Sequence, residues 1–121
     1  MAPAALQHPF EVLLVEDNPG DVRLTREVFR RVRVPANLSV VEDGEQALAF
    51  LRRQGPYERA PRPDLVLLDL NLPRINGTDV LSAIKNDVGL KRIPVVILTT
   101  SRSPHDIARS YELYANCYIT K

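Results

Sequence analysis

The sequence predicts an α/β domain built on a parallel five-stranded sheet with helices on both faces. Apolar runs of strand length alternate with amphipathic helical segments throughout, the order produced when each crossover returns the chain to a parallel strand. Leu65-Val66-Leu67-Leu68 is apolar without alternation, as in a strand buried on both faces, and Pro63 and Pro73 bound it because proline cannot donate to a ladder. Two of the strand candidates end in acid, Glu16-Asp17 and Asp69, at the edge of the sheet where open α/β folds bind ligands.

With 121 residues, one domain is expected: an N-terminal arm over 1–9 and the domain over 10–121. Val12-Leu13-Leu14-Val15 forms the first strand, followed by turn chemistry at Asn18-Pro19-Gly20. A helix runs from Asp21 to about Arg33, with Val22, Thr25, Val28, Phe29 and Val32 on its apolar face and Asp21 at the positive end of its dipole. Leu38-Ser39-Val40-Val41 is the second strand. Asp43, with Gln46 three residues on, starts a helix carrying Ala47, Leu48, Phe50 and Leu51. Residues 55–63, with three prolines and two arginines, read as a surface loop with no assigned role.

After the Leu65–Leu68 strand, Asn76 and Asp79 mark a helix whose inner face is Val80, Leu81 and Ile84. Val95-Val96-Ile97-Leu98 is the fourth strand and ends in Thr99-Thr100. Ser103-Pro104-His105-Asp106 combines a cap, a proline at the first helical position and an acid in the first turn. Ile107, Ala108, Tyr111 and Tyr114 are expected to face the core. Cys117-Tyr118-Ile119-Thr120 is the fifth strand, before Lys121. A final helix is absent from this sequence, so one sheet edge and part of one face are expected to be uncovered.

If the first and third strands are neighbours, Glu16, Asp17 and Asp69 converge. Two unit charges ~5 Å apart repel by roughly 3 kcal/mol at an effective dielectric of ~20. Such a group calls for a cation or a raised pKa, and carboxylate oxygens suit Mg²⁺, or Mn²⁺ in its place, better than zinc. Thr99 adds a hydroxyl at the end of the fourth strand and Lys121 an ammonium at the end of the fifth. A hydroxyl, a fixed cation and a divalent metal around one carboxylate make a site for an added phosphoryl group.

Composition excludes several classes. A net charge of +1 with no basic stripe gives no nucleic-acid footprint. No apolar run approaches the ~20 residues of a membrane span, and residues 1–7 do not read as a signal peptide. A single cysteine, Cys117, rules out an internal disulfide and fits a reducing, cytoplasmic setting. His8 and His105 lie on a tail and a helix start, where a metal role is not expected.

The stretches Leu13-Leu14-Val15-Glu16-Asp17-Asn18, Leu67 through Gly77, Val95 through Thr100 and Tyr118-Ile119-Thr120-Lys121 together resemble response-regulator receiver domains of two-component signalling. The run from Glu16 to Glu27 and the loop before Asp64 are similar to stand-alone regulators paired with bacterial phytochrome histidine kinases. The resemblance implies a flavodoxin-like fold with strand order 2-1-3-4-5. It implies that Asp69 accepts a phosphoryl group from a histidine kinase, and that Asp17, Asp69 and the backbone carbonyl of Asn71 bind Mg²⁺ directly while Glu16 acts through water. Lys121 then pairs with the phosphate, Thr99 closes on one of its oxygens and Tyr118 turns inward behind Thr99. A downstream protein target and a homodimer through the fourth helix and fifth strand are further expectations. Glu16 stands where many members carry aspartate, and the proline usual after the lysine is absent.

Rival classes are weaker. A phosphatase or phosphotransferase using an aspartyl nucleophile usually has a second aspartate two residues on as general acid; here that residue is Asn71. A flavin module needs hydroxyls and amides in its first loop, whereas Glu16 to Asp21 would repel a phosphate. A binding scaffold with a dead site is disfavoured by the joint presence of Asp17, Asp69, Thr99 and Lys121. The expected activity is therefore that of a phosphoacceptor regulatory domain acting on itself, not of a multiple-turnover enzyme.

Overall fold

The computed structural model describes residues 9–33, 35–100 and 103–121. The arm expected over 1–9, including His8, lies outside the described residues except for Pro9. The chain runs β1 (Phe10–Val15), α1 (Pro19–Arg31), β2 (Ala36–Val41), α2 (Gly44–Leu51), a 3₁₀ turn (Gly55–Tyr57), β3 (Leu65–Leu68), α3 (Gly77–Lys85), β4 (Val95–Thr99), α4 (Pro104–Glu112) and β5 (Cys117–Thr120). All four strand pairings are parallel, as the alternation of strands and helices predicts, and the sheet order is β2-β1-β3-β4-β5, as the resemblance implies.

Alternation along the strands divides the core in two. Leu13, Val15, Val66, Leu68, Val95 and Ile97 face α2 and α3 and meet Ala47, Phe50, Val80, Leu81 and Ile84. Val12, Leu14 and Leu67 face the other way, toward Val22 and Phe29 of α1. The expected helix starts are present: Asp43 Oδ1 accepts from Gln46 N–H at 2.8 Å, Asn76 Oδ1 from Thr78 N–H at 2.9 Å and Ser103 Oγ from Asp106 N–H at 3.4 Å.

Four expectations need correction. α1 begins at Pro19, not Asp21, because Asn18 caps it through Gly20 N–H at 2.8 Å and Pro19 takes the first helical position. Val28 and Val32 are 58% and 57% exposed rather than packed, since α1 reaches the sheet through Val22, Thr25 and Phe29. Ala108 and Tyr111 of α4, and Tyr114 just beyond it, face outward; the helix is turned so that Ser110 is buried, with its hydroxyl donating to Asp106 O at 2.8 Å, and Leu113 at its C-terminal end packs on the core. The 55–63 loop is not wholly superficial, because Tyr57 packs on Phe50 at 5.4 Å between ring centroids and Ala60 joins the same core.

Beside α1, a groove of about 260 Å³ is lined by Leu24, Thr25, Val28 and Leu98, with Asp21 and Lys121 at its polar end. No helix among the described residues is long and apolar enough to cross a membrane.

Candidate functional site

The register of β1 and β3 builds the site. Val15 pairs with Leu68, so the next residues, Glu16 and Asp69, leave the sheet side by side. Asp69 N–H donates to Val15 O at 3.2 Å, and Glu16 N–H donates to Val41 O at 3.0 Å, which fixes both backbones at the rim. One oxygen from each of Glu16, Asp17 and Asp69 lies within 4.8 Å of the others. Glu16 and Asp69 are buried, at 2% and 6% exposure, while Asp17 is open to solvent.

β4 and β5 bring the remaining groups. Thr99 is fully buried at the end of β4 and pairs with Thr120. Lys121 N–H donates to Thr99 O at 2.8 Å, which holds the last residue of the chain beside the acids. Its ammonium donates to Glu16 Oε1, to Asp21 Oδ2 at 2.7 Å and to Asp69 Oδ2 at 3.0 Å. Three carboxylates thus surround one ammonium, Asp17 stands beside two of them, and all the ligand atoms they offer are hard oxygens. That surplus of negative charge and that donor set fit a divalent hard cation.

Ionisation follows from these contacts. Burial pushes the Glu16 carboxyl above the usual glutamate value, against the Lys121 hydrogen bond and Asn18 N–H. Asp69 feels the same desolvation, but Asn71 N–H, Lys121 and the Thr99 hydroxyl outweigh it and hold the carboxyl below the usual aspartate value. Lys121 would lose its proton more easily through burial alone; its bonds to Asp21, Glu16 and Asp69 instead raise its pKa. Asp69 is therefore an ionised, hydrogen-bonded carboxylate with one oxygen facing the ammonium.

Asn71 makes three hydrogen bonds. Its N–H donates to Asp69 Oδ1 at 3.0 Å, and its side-chain amide donates to Thr99 Oγ1 at 3.3 Å and Thr100 Oγ1 at 3.4 Å. Tyr118 is half-buried against the main core and pairs with Ile97, two residues before Thr99 in the strand register. Glu16, Asp17, Asp69, Asn71, Thr99 and Lys121 are thus all at one rim, with Tyr118 on the adjoining part of β5.

Sequence reasoning missed two residues. From the sequence Asp21 is a helix-dipole acid, yet its carboxylate grips Lys121; the available signal is an acid in the first turn of a helix starting at the acidic rim. Gly77 sits against the exit of β3, where an added Cβ would lie 2.5 Å from both Asp69 O and Leu70 Cα. Only a residue without a side chain lets α3 approach the exit of β3 that closely.

Residues 12–121 match the family described as the response regulator receiver domain. The chain is 52% identical over 113 residues to response regulator Rcp1 of a Synechocystis species, covering 93% of this chain and 77% of that protein. The solved Mn²⁺-bound form of Rcp1 superposes with a TM-score of 0.90 at 52% identity, covering 93% of this chain and 81% of that one. The phosphorylated cyanobacterial phytochrome response regulator RcpA gives 0.89 at the same identity and coverage.

Proposed function

This chain belongs to the response-regulator receiver family, and on that premise we propose that Asp69 accepts a phosphoryl group from a histidine kinase in a Mg²⁺-dependent reaction. The observation that carries the reading is the Asp69 carboxylate, buried yet ionised, with Asn71 N–H on one oxygen and Lys121 on the other. The likeness to phytochrome response regulators supports a bacteriophytochrome as that kinase.

Asp17, Asp69 and the backbone carbonyl of Asn71 would hold the metal, with Glu16 acting through water; Mn²⁺ can substitute. When bound, the metal neutralises the phosphoryl oxygens as the transferring group gains charge. Asp69 forms the new oxygen–phosphorus bond as the phosphorus–nitrogen bond of the kinase phosphohistidine breaks. Lys121 follows its Asp69 partner onto a phosphoryl oxygen. Asn71, in the position where aspartyl phosphatases carry a general acid, cannot give and recover a proton, so hydrolysis is slow enough for a signal.

The phosphoryl oxygens also offer Thr99 a stronger acceptor than its present partners. A charge-assisted hydrogen bond is worth ~1.5–3 kcal/mol, which biases a two-state element about tenfold or more. Thr99 leaves the Asn71 amide for the phosphate, and Tyr118 fills the space behind it. The altered surface of α4 and β5 then meets a downstream protein. Half-exposed Ile119 and Tyr111 on this side, with β5 at the sheet edge, also support a homodimer there. A cytoplasmic setting accords with the free thiol of Cys117.

Incubation with acetyl phosphate and Mg²⁺ tests the reading by intact mass. One added phosphoryl group is expected in the wild type and none in Asp69→Asn or after chelation. Rapid multiple turnover of a generic phosphomonoester would favour an enzyme instead. Thr99→Ala is expected to take phosphate but lose the change in Tyr118 fluorescence; an unchanged response would remove the switch.

A further inference from the structure

Of the three carboxylates bonded to the Lys121 ammonium, Glu16 and Asp69 also belong to the group that fits a divalent cation, and Asp21 does not. Asp21 is fixed independently of the metal. It stands in the first turn of α1, where its N–H donates to Asn18 Oδ1 at 3.2 Å, and Thr25 Oγ1 donates to its backbone carbonyl at 2.9 Å. Its pair with Lys121 borders the groove walled by Leu24, Val28 and Leu98, and apolar walls weaken solvent screening of the contact.

We propose that Asp21 is a positioning residue for phosphoryl transfer, holding the Lys121 ammonium beside Asp69 while Glu16 and Asp69 engage the cation and the incoming phosphoryl group. The inference rests on the reading of Asp69 as phosphoacceptor. Once a cation draws on Glu16 and Asp69, both weaken as partners of the ammonium. Asp21 then remains its one undivided carboxylate. Without Asp21, the flexible lysine stem lets the ammonium settle on Glu16 and Asp69, where it competes with the cation, and its aim at the phosphoryl oxygens is lost.

A double-mutant cycle on the full chain separates this from a helix-end role. Two readouts are taken, the rate of phosphorylation by acetyl phosphate with Mg²⁺ and the Mn²⁺ dissociation constant by calorimetry. Asp21→Asn is expected to slow phosphorylation about tenfold, the factor carried by one charge-assisted hydrogen bond, and to weaken Mn²⁺ binding. Asp21→Glu is expected to recover most of both. In a Lys121→Met background, Asp21→Asn is expected to change the rate by less than about twofold, because the partner is gone. Equal slowing in both backgrounds, or no slowing with Lys121 present, overturns the assignment. A wild type that takes no phosphoryl group refutes the acceptor reading instead, so the two failures are distinct.

Discussion

Replacing Gly77 by alanine tests how the fold holds the exit of β3, which carries Asp69. The new Cβ would lie 2.5 Å from Asp69 O and Leu70 Cα and 3.1 Å from Leu70 C. Carbon atoms in contact prefer ~3.5–4.0 Å, so about 1 Å must be opened. All three obstructing atoms are backbone, so no side chain can swing aside. Gly77 N–H also donates to Leu70 O at 3.1 Å, which ties the start of α3 to the same loop. Overpacking of this kind costs ~1–3 kcal/mol, and weakening the tie adds ~0.5–1.5. Alanine recovers up to ~1 kcal/mol of helix propensity. The expected net loss is about 1–3 kcal/mol, a drop of roughly 1 M in the urea midpoint. Urea unfolding followed by circular dichroism reads it, and acetyl phosphate labelling should slow as Asp69 shifts. Gly55→Ala is the control: at φ +58° with open space around it, it should lose ~1–2 kcal/mol and leave labelling intact. A Gly77→Ala protein with wild-type midpoint and labelling would refute the close-approach argument.

Other consequences follow from the same contacts. Mg²⁺ or Mn²⁺ at about 100 times its dissociation constant should stabilise the protein by ~2.7 kcal/mol, seen as a raised Tm that is abolished by chelation and reduced in Asp17→Asn. Because Asp69 is held below its usual value, its contribution to stability is present above about pH 3.8 and is lost as pH falls through the folded-state value. The stability gap between the wild type and Asp69→Asn should therefore move against the wild type as the pH is lowered from 5 toward 2 in acid titrations monitored by circular dichroism. Lys85 Nζ donates to Lys91 O at 3.1 Å, Ile93 O at 2.9 Å and Asn116 Oδ1 at 3.3 Å, far along the chain from the acids. Lys85→Met should cost about 1–3 kcal/mol through unpaired acceptors, by urea unfolding, with phosphorylation unchanged.

The sheet was legible because buried parallel strands are near-continuous apolar runs, and Val12–Val15, Leu65–Leu68 and Val95–Leu98 fall inside β1, β3 and β4. Helix starts were legible where a cap stands alone, as at Asp43, Asn76 and Ser103. At Asn18 the same cap was hidden by a proline and glycine that also spell a turn. The phase of α4 is hard to read because Tyr111, with Tyr114 just beyond the helix, looks like a core residue, whereas buried Ser110 satisfies its hydroxyl within the helix at Asp106 O. The convergence of Glu16, Asp17, Asp69, Thr99 and Lys121 is readable from the strand ends only together with the strand order that the family resemblance implies. The Asp21 contact was not, because it depends on where a lysine 100 residues away lays its ammonium.

The most direct measurement locates the modified residue. Protein treated with acetyl phosphate and Mg²⁺ is reduced with borohydride, which converts an acyl phosphate to an alcohol, and peptides are sequenced by mass spectrometry. Conversion at Asp69 alone, absent without the metal, is the expected result. Conversion at Asp17 or Glu16 instead, or unaltered labelling of Asp69→Asn, would contradict the assignment of the buried strand-end aspartate as the acceptor.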